Sequence, residues 1–403
     1  MKNIVIIEPI YGENIHLPFN AGLVNVVATA FDSANLTFVG NASQTKKIAD
    51  NLPVEHRTRC VFKHMRVYAD KDTNPLNVVI RLGELLWAAG REIFDADLIV
   101  LCSASGTTLA AVQLLMRPKK QSLQVFLHGN LNDLNGWRSR NPFRRFFDFS
   151  STLKRASASQ GQFLVLEEHI LARAAADFPW MKKNVRYFPH PQIDEESIVH
   201  KKSLQFPIKI GLIGIASPDK GFVEFCTLAK ILKRRFPSKF EFHAIGKKHK
   251  SNLNSDFEML DRPPSEKQLE RETYLREIDK MHFLFFWPVG EYYRNASSGI
   301  FYDGINRKIP FLTNSSAKSF CRDIEAMAIV ADGLDELETK LLEIDTHTYA
   351  HFVEELEKFR LTFAVEGLAT RFKALISEFS PRLSEDRALD QEFSTGVPVS
   401  PDK

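Results

Sequence analysis

Short apolar runs alternate with helix-length amphipathic stretches along almost the whole chain, the signature of repeated βαβ units. A strand inside a parallel sheet is covered on both faces, so it reads as a near-continuous apolar run. Such runs predict strands at Asn3–Glu8, Leu36–Gly40, Leu98–Ser103, Leu123–His128, Phe163–Leu166 and Val185–Phe188. Helices fall between them, including Pro18–Phe31, Leu76–Phe94 and Thr107–Arg117. Pro18 suits a first helical position, where its missing N–H costs nothing. A second series opens with the strand Ile208–Ile213 and the helix Gly221–Phe236, and continues with strands at Phe240–Ile245, His282–Trp287, Ile309–Leu312 and Ala328–Val330. The tract Tyr349–Phe379 carries Phe352, Leu356, Phe359 and Phe363 at helical spacing, which predicts a packing face.

With 403 residues the chain is too long for one ordinary core, and two α/β units of about 180 to 200 residues each are expected. The rhythm places them at 1–195 and 206–380, joined by the polar stretch Gln192–Lys202. The tail 381–403 has three prolines and no apolar period, and is expected to be disordered. Composition is that of a soluble globular protein, 44% hydrophobic and 26% charged. A net charge of +3 gives no bulk electrostatic case for a nucleic-acid partner. The four cysteines, Cys60, Cys102, Cys226 and Cys321, form no C-x-x-C pair and read as buried reduced thiols. The apolar run after Met1 stops at Glu8-Pro9, too short for a signal peptide. No stretch is long and apolar enough to span a membrane, so a cytoplasmic protein is expected.

Two loops of the second series carry the chemistry. Strand Ile208–Ile213 runs through Gly214 into Ser217-Pro218-Asp219-Lys220-Gly221 and a helix. A glycine-bearing loop at a helix N-terminus turns backbone N–H groups toward an anion, and Lys220 adds a mobile charge suited to a diphosphate. The plainer alternative is an ordinary βα loop with Asp219 as cap and Lys220 solvated. The second loop follows the most apolar strand and reads Arg294-Asn295-Ala296-Ser297-Ser298-Gly299, opening another helix. Asp303 lies on the first two turns of that helix, where an acidic group can reach a ribose diol.

Together these residues resemble the donor half of the GT-B glycosyltransferases, in particular the group with a Lys-Gly pair and an E-x7-E signature. Lys220-Gly221 matches the pair, and Asn295-x7-Asp303 followed by Arg307-Lys308-Ile309-Pro310 stands where the signature would be. The resemblance implies two Rossmann-like parallel-sheet domains facing a cleft, with a nucleotide sugar as substrate and no cofactor. It implies that Asp303 binds the ribose, Asn295 the donor sugar, and Ser298 and Gly299 the diphosphate. The chain departs from the group at Ile215, where an arginine is usual, and at both glutamates. Arg294 or Lys308 would then have to supply the missing charge. The activity implied is metal-independent transfer of a hexose from a UDP- or GDP-linked donor to a glycan or lipid-linked acceptor, in surface polysaccharide or glycoconjugate synthesis. A GT-B-fold sugar-nucleotide epimerase and a non-catalytic binding protein are the alternatives.

In the first half, Phe126-Leu127-His128-Gly129 ends a strand, and the resemblance sets that histidine against the donor sugar. The polar first loop, Glu8 to Gly22, offers His16 as general base, with Glu13 and Asp133 as rivals on the acceptor side. A capping loop with a surface histidine explains the loop equally well. Asp95-Ala96-Asp97 imitates a metal-binding D-x-D but precedes its strand, on the edge away from ligands, so no metal is expected. The segment Trp137–Phe147 mixes arginine with aromatics and suggests contact with the inner face of a membrane.

Overall fold

The computed structural model describes residues 2–66, 75–117, 120–135, 141, 145–159, 161–193, 204–250, 257–290, 293 and 295–379. Two wholly parallel sheets organise them. The first contains β1 (Asn3–Ile7), β2 (Asn35–Gly40), β3 (Cys60–His64), β4 (Leu98–Leu101), β5 (Ser122–Leu127), β6 (Gln162–Val165) and β7 (Val185–Tyr187), in the order β3-β2-β1-β4-β5-β6-β7. The second contains β8 (Ile208–Ile213), β9 (Phe240–Ile245), β10 (Phe283–Phe286), β11 (Phe311–Thr313) and β12 (Ala328–Val330), in the order β12-β11-β10-β8-β9. All the strands expected from apolar runs are present. Edge strand β3 was not expected, because Lys63 and His64 interrupt its apolar character.

Each sheet has a core on both faces. In the first, Ile4, Ile6, Phe38 and Phe126 point to one side and Val5, Ile7, Val125 and Phe163 to the other, as strand alternation requires. Phenylalanines from strands and their covering helices, Phe19, Phe38, Phe222, Phe225 and Phe242, are among the largest fully buried side chains. The four cysteines are unbridged.

The expected helical tract Tyr349–Phe379 is two helices, Thr346–Leu361 and Val365–Phe379. The break at Thr362–Ala364 buries Phe363 against the second core. The last helix then leaves the second sheet. Its Leu368, Ala369, Phe372 and Ile376 pack into the first core beside the helix Leu17–Ala30. Arg186 fastens it through Glu378 at 2.7 Å. The stretch 206–380 therefore returns one helix to the first unit.

In an open parallel sheet, ligands bind beyond the carboxyl ends of the strands, where the connections diverge to opposite sides. Those switch points lie between β1 and β4 in one sheet and between β8 and β10 in the other. Loops from both switch points line a single cleft of about 610 Å³. The Asp-Ala-Asp stretch sits at the opposite edge, where Asp97 accepts the Asn3 backbone N–H at 2.8 Å.

Candidate active site

The β8 loop closes as a single 3-10 turn, Pro218–Lys220, ended by Gly221 in the left-handed region with φ 77°. A Cβ there would lie 2.5 Å from the Trp287 Cβ, so only glycine lets this loop pack against the end of β10. Gly214 and Gly246, also at positive φ, close the floor of the cleft; a Cβ on Gly246 would strike the Gly214 carbonyl. Lys220 folds back over this floor, its Nζ 3.6 Å from where a Gly214 Cβ would be. Burial pushes its ammonium down to about 8, with Asp303 pulling the other way.

Asp303 lines the same cleft from the helix Gly299–Asn306. Its carboxylate accepts from Arg271 at 3.0 Å and from the Tyr274 hydroxyl at 2.9 Å. Neither partner was singled out in the sequence, where the helix Arg271–Ile278 reads as an ordinary charged surface helix. Arg271 and Lys247 both line the cleft, so it holds cations despite Ile215 in the expected arginine position. Lys308 cannot supply that charge from its observed position: it pairs with Glu357 at 3.0 Å, away from the cleft lining. Arg294 lies outside the described residues.

Gly299 opens its helix at the cleft, with nothing within 4 Å of a Cβ placed on it. Ser298 is its buried N-cap, and its hydroxyl makes no cap bond. Asn295 is not among the cleft-lining residues. It reaches across the domain boundary and donates to Asn132 at 3.0 Å, while the Ser297 N–H donates to the His128 carbonyl at 3.3 Å. The loop expected to hold a donor sugar thus also joins the two sheets.

Opposite, three histidines converge. His16 caps the helix Leu17–Ala30 in the left-handed region at φ 59°, its ring between Tyr11 at 3.9 Å and His128 at 4.2 Å. His128 meets Phe19 edge-on at 4.3 Å. Its Nε2 lies 2.8 Å from the Cys102 carbonyl, which can only accept, so Nε2 carries the proton. Burial, reinforced by His16 and His190, holds His128 well below the usual histidine range, so it stays neutral. Burial takes His190 down to about 3; its ring stacks on Tyr302 at 4.4 Å.

Glu8 anchors this side and was read from sequence only as a strand end. It is fully buried and accepts the backbone N–H groups of Ile10 and Tyr11 at 3.0 and 3.1 Å. It also accepts from Asn20 and, by a short bond, from Ser103 at the end of β4. Its second oxygen faces His16 Nδ1 at 3.7 Å. An acidic residue followed by a kinked polar loop was the only sequence signal for this hub. Glu13 and Asp133 are exposed and are not among the cleft-lining residues. Among the described residues, no cluster of His, Cys, Asp or Glu is arranged to hold a metal ion.

Two parallel sheets presenting their switch points to one cleft decide the architecture. The fold is GT-B. No protein-family model matches the sequence and no curated protein matches it, but solved structures do. A glycosyltransferase from Rickettsia africae superimposes with a TM-score of 0.64 over 96% of this chain and 99% of its own, at 8% identity. An alpha-glucosyltransferase in complex with UDP gives 0.57 over 93% and 98% of the two chains, at 10% identity. A protein assigned as a UDP-N-acetylglucosamine 2-epimerase from Listeria monocytogenes gives 0.54 over 94% and 98%, at 13% identity. In this GT-B chain the histidines stand on the first sheet and the cationic floor on the second.

Proposed function

We propose that this chain transfers a glycosyl group from a nucleoside diphosphate sugar to an acceptor hydroxyl. The observation that carries the reading is the cleft, lined by Lys247, Arg271, Asp303 and the Gly299 helix start on one wall and by His16 on the other, with Lys220 buried behind Gly214 and Glu8 behind His16. The donor diphosphate lies against Lys220 and the helix start, where fixed positive charge stabilises the departing nucleoside diphosphate. His16, with the Glu8 carboxylate 3.7 Å from its Nδ1 to favour the protonated ring, takes the acceptor proton on Nε2. The acceptor oxygen bonds to the sugar carbon as that carbon's bond to the phosphate oxygen breaks. Neutral His128 accepts through Nδ1 from a donor-sugar hydroxyl. A UDP- or GDP-linked donor and a glycan or lipid-linked acceptor suit the two walls.

Thermal shift with UDP, GDP, ADP and CMP tests the donor side. One diphosphate should raise the melting temperature, and less so in Lys220→Ala. Stabilisation by none of them would overturn the reading. The likeness to the Listeria structure supports a second reading, sugar-nucleotide epimerisation. Turnover of donor without any acceptor would favour it.

A further inference from the structure

The helix Pro75–Asp95 runs down the outside of the first sheet, its inner side buried through Leu85, Ala88, Ala89 and Ile93. Its outer side is as apolar as its inner one. Leu76 is 65% exposed, Val79 55%, Ile80 43%, Leu86 38%, Trp87 81% and Phe94 50%. These positions, with Gly83 and Gly90 between them, fall on one stripe of a helix with 3.6 residues per turn. The stripe is about 27 Å long at 1.5 Å per residue. A Cβ on Gly83 would meet nothing within 4 Å, so the stripe lies open at its middle. Exposed apolar residues scattered singly need no explanation, but a continuous row of this size does.

We propose that this stripe seats the protein on an anionic membrane surface. Among the described residues no helix is long and apolar enough to cross a membrane, and this one is fixed flat against its sheet, so it lies in the lipid interface. Trp87, the most exposed large apolar side chain among the described residues, is of the type that prefers that interface. Charge complementarity selects the partner. The helices Gly106–Leu115 and Phe149–Ala158 cover the same face of the sheet. Among the described residues of 106–158 five cations, Arg117, Lys120, Arg145, Lys154 and Arg155, stand against two acids, Asp133 and Asp148. On the stripe's own helix Arg81 and Arg91 meet Glu84, Asp95 and Glu92, the last paired with Lys63. Arg117 stacks over the Phe94 ring at 4.4 Å, and Arg91 stands beside it, 89% exposed, with Asp95 at 3.7 Å. Two copies meeting through this face would bring their cation-rich segments together, which opposes self-association. The expected contact segment Trp137–Phe147 lies mostly outside the described residues; of the described part, Asn141 and Arg145–Phe147, Phe147 adjoins this face at Gly106. Near its start the helix also borders the cleft loop, where Arg81 and Leu85 line a small recess with Pro9 and Ile10. An acceptor presented at a lipid surface would arrive on the His16 side.

The test is co-sedimentation of the full chain with vesicles of phosphatidylcholine alone and of phosphatidylcholine mixed with phosphatidylglycerol. Binding to the mixed vesicles, weakened by salt, is expected, with at least a tenfold loss in Leu86→Ser/Trp87→Ser. Tryptophan quenching by brominated lipid, present in the parent and reduced in Trp87→Phe, reports the contact without disturbing the fold. The proposal is overturned if the parent binds neither vesicle, or if the double variant binds undiminished. A parent dimer that the double variant converts to monomer, with no vesicle binding, would assign the stripe to a second copy instead. The proposal stands apart from the glycosyl-transfer reading, because nucleotide stabilisation is measured without vesicles.

Discussion

The two walls of the cleft are built on opposite electrostatic plans. On the first sheet, burial keeps His128 and His190 uncharged, and Glu8 spends its oxygens on Ile10, Tyr11, Asn20 and Ser103. On the second, Arg271 pairs with the Asp303 carboxylate, Lys220 feels its charge, and Lys247 lines the same cleft. A wall of uncharged buried histidines facing a cationic one suits the proposed group transfer between a hydroxyl and a diphosphate leaving group. Substitutions on the two walls should therefore separate chemistry from binding.

The sharpest separation is expected at His16. His16→Ala should lower the transfer rate by about 10²–10⁴-fold while nucleotide affinity, measured by calorimetry, stays within about twofold. Loss of nucleotide binding in that variant would erase the distinction between the walls. Next comes Lys220→Met, expected to weaken a nucleoside diphosphate by about 10- to 100-fold and the bare nucleoside hardly at all. Because the Lys220 ammonium titrates near 8, diphosphate affinity in the parent should fall as pH rises from 7 to 9, and the variant should be flat. Arg271→Gln is expected to cost several-fold in diphosphate affinity, since the remaining Lys220 still holds charge there. An unchanged affinity would remove Arg271 from the cationic wall.

The smallest effect concerns the seam between the walls. Tyr302 donates to buried Glu167 at 2.6 Å, and burial raises that carboxyl to about 8. A folded value above the unfolded one of about 4.5 contributes stability that is complete below pH 4.5 and is lost as pH rises through 8. Glu167→Gln keeps the acceptor oxygen without the charge, so its melting temperature should exceed the parent's by a few degrees at pH 8 and match it near pH 4. Equal melting curves at both values would show that Glu167 ionises freely in the folded protein.

Much of the architecture was legible because buried parallel strands leave a local signal: Leu98–Leu101 and Phe283–Phe286 are apolar at every position. The glycine turn at Gly221 and the helix start at Gly299 were legible because turn glycines and helix starts are written in adjacent residues. Contacts between distant segments are not. Asn295 meets Asn132 across 163 residues, and nothing near either one announces it. Arg271 belongs to a helix of alternating charges, and only its placement opposite Asp303 distinguishes it from Arg276. The helix Leu76–Phe94 was expected, but nothing in its sequence separates the exposed apolar residues from the buried ones.

The chain crosses between its two units twice, once after β7 and once at Thr362–Ala364 where the last helix turns back. Tyr302 sits beside both crossings, stacked on His190 at 4.4 Å and edge-on to Phe363 at 5.6 Å. Crossings that both approach one side chain should act as the pins of a door, favouring a swing about one axis over sliding or twisting. Distance probes at Asn14 and Lys247, which line the cleft from the two units, should then report nucleotide-driven closure, while a pair at the pins stays still.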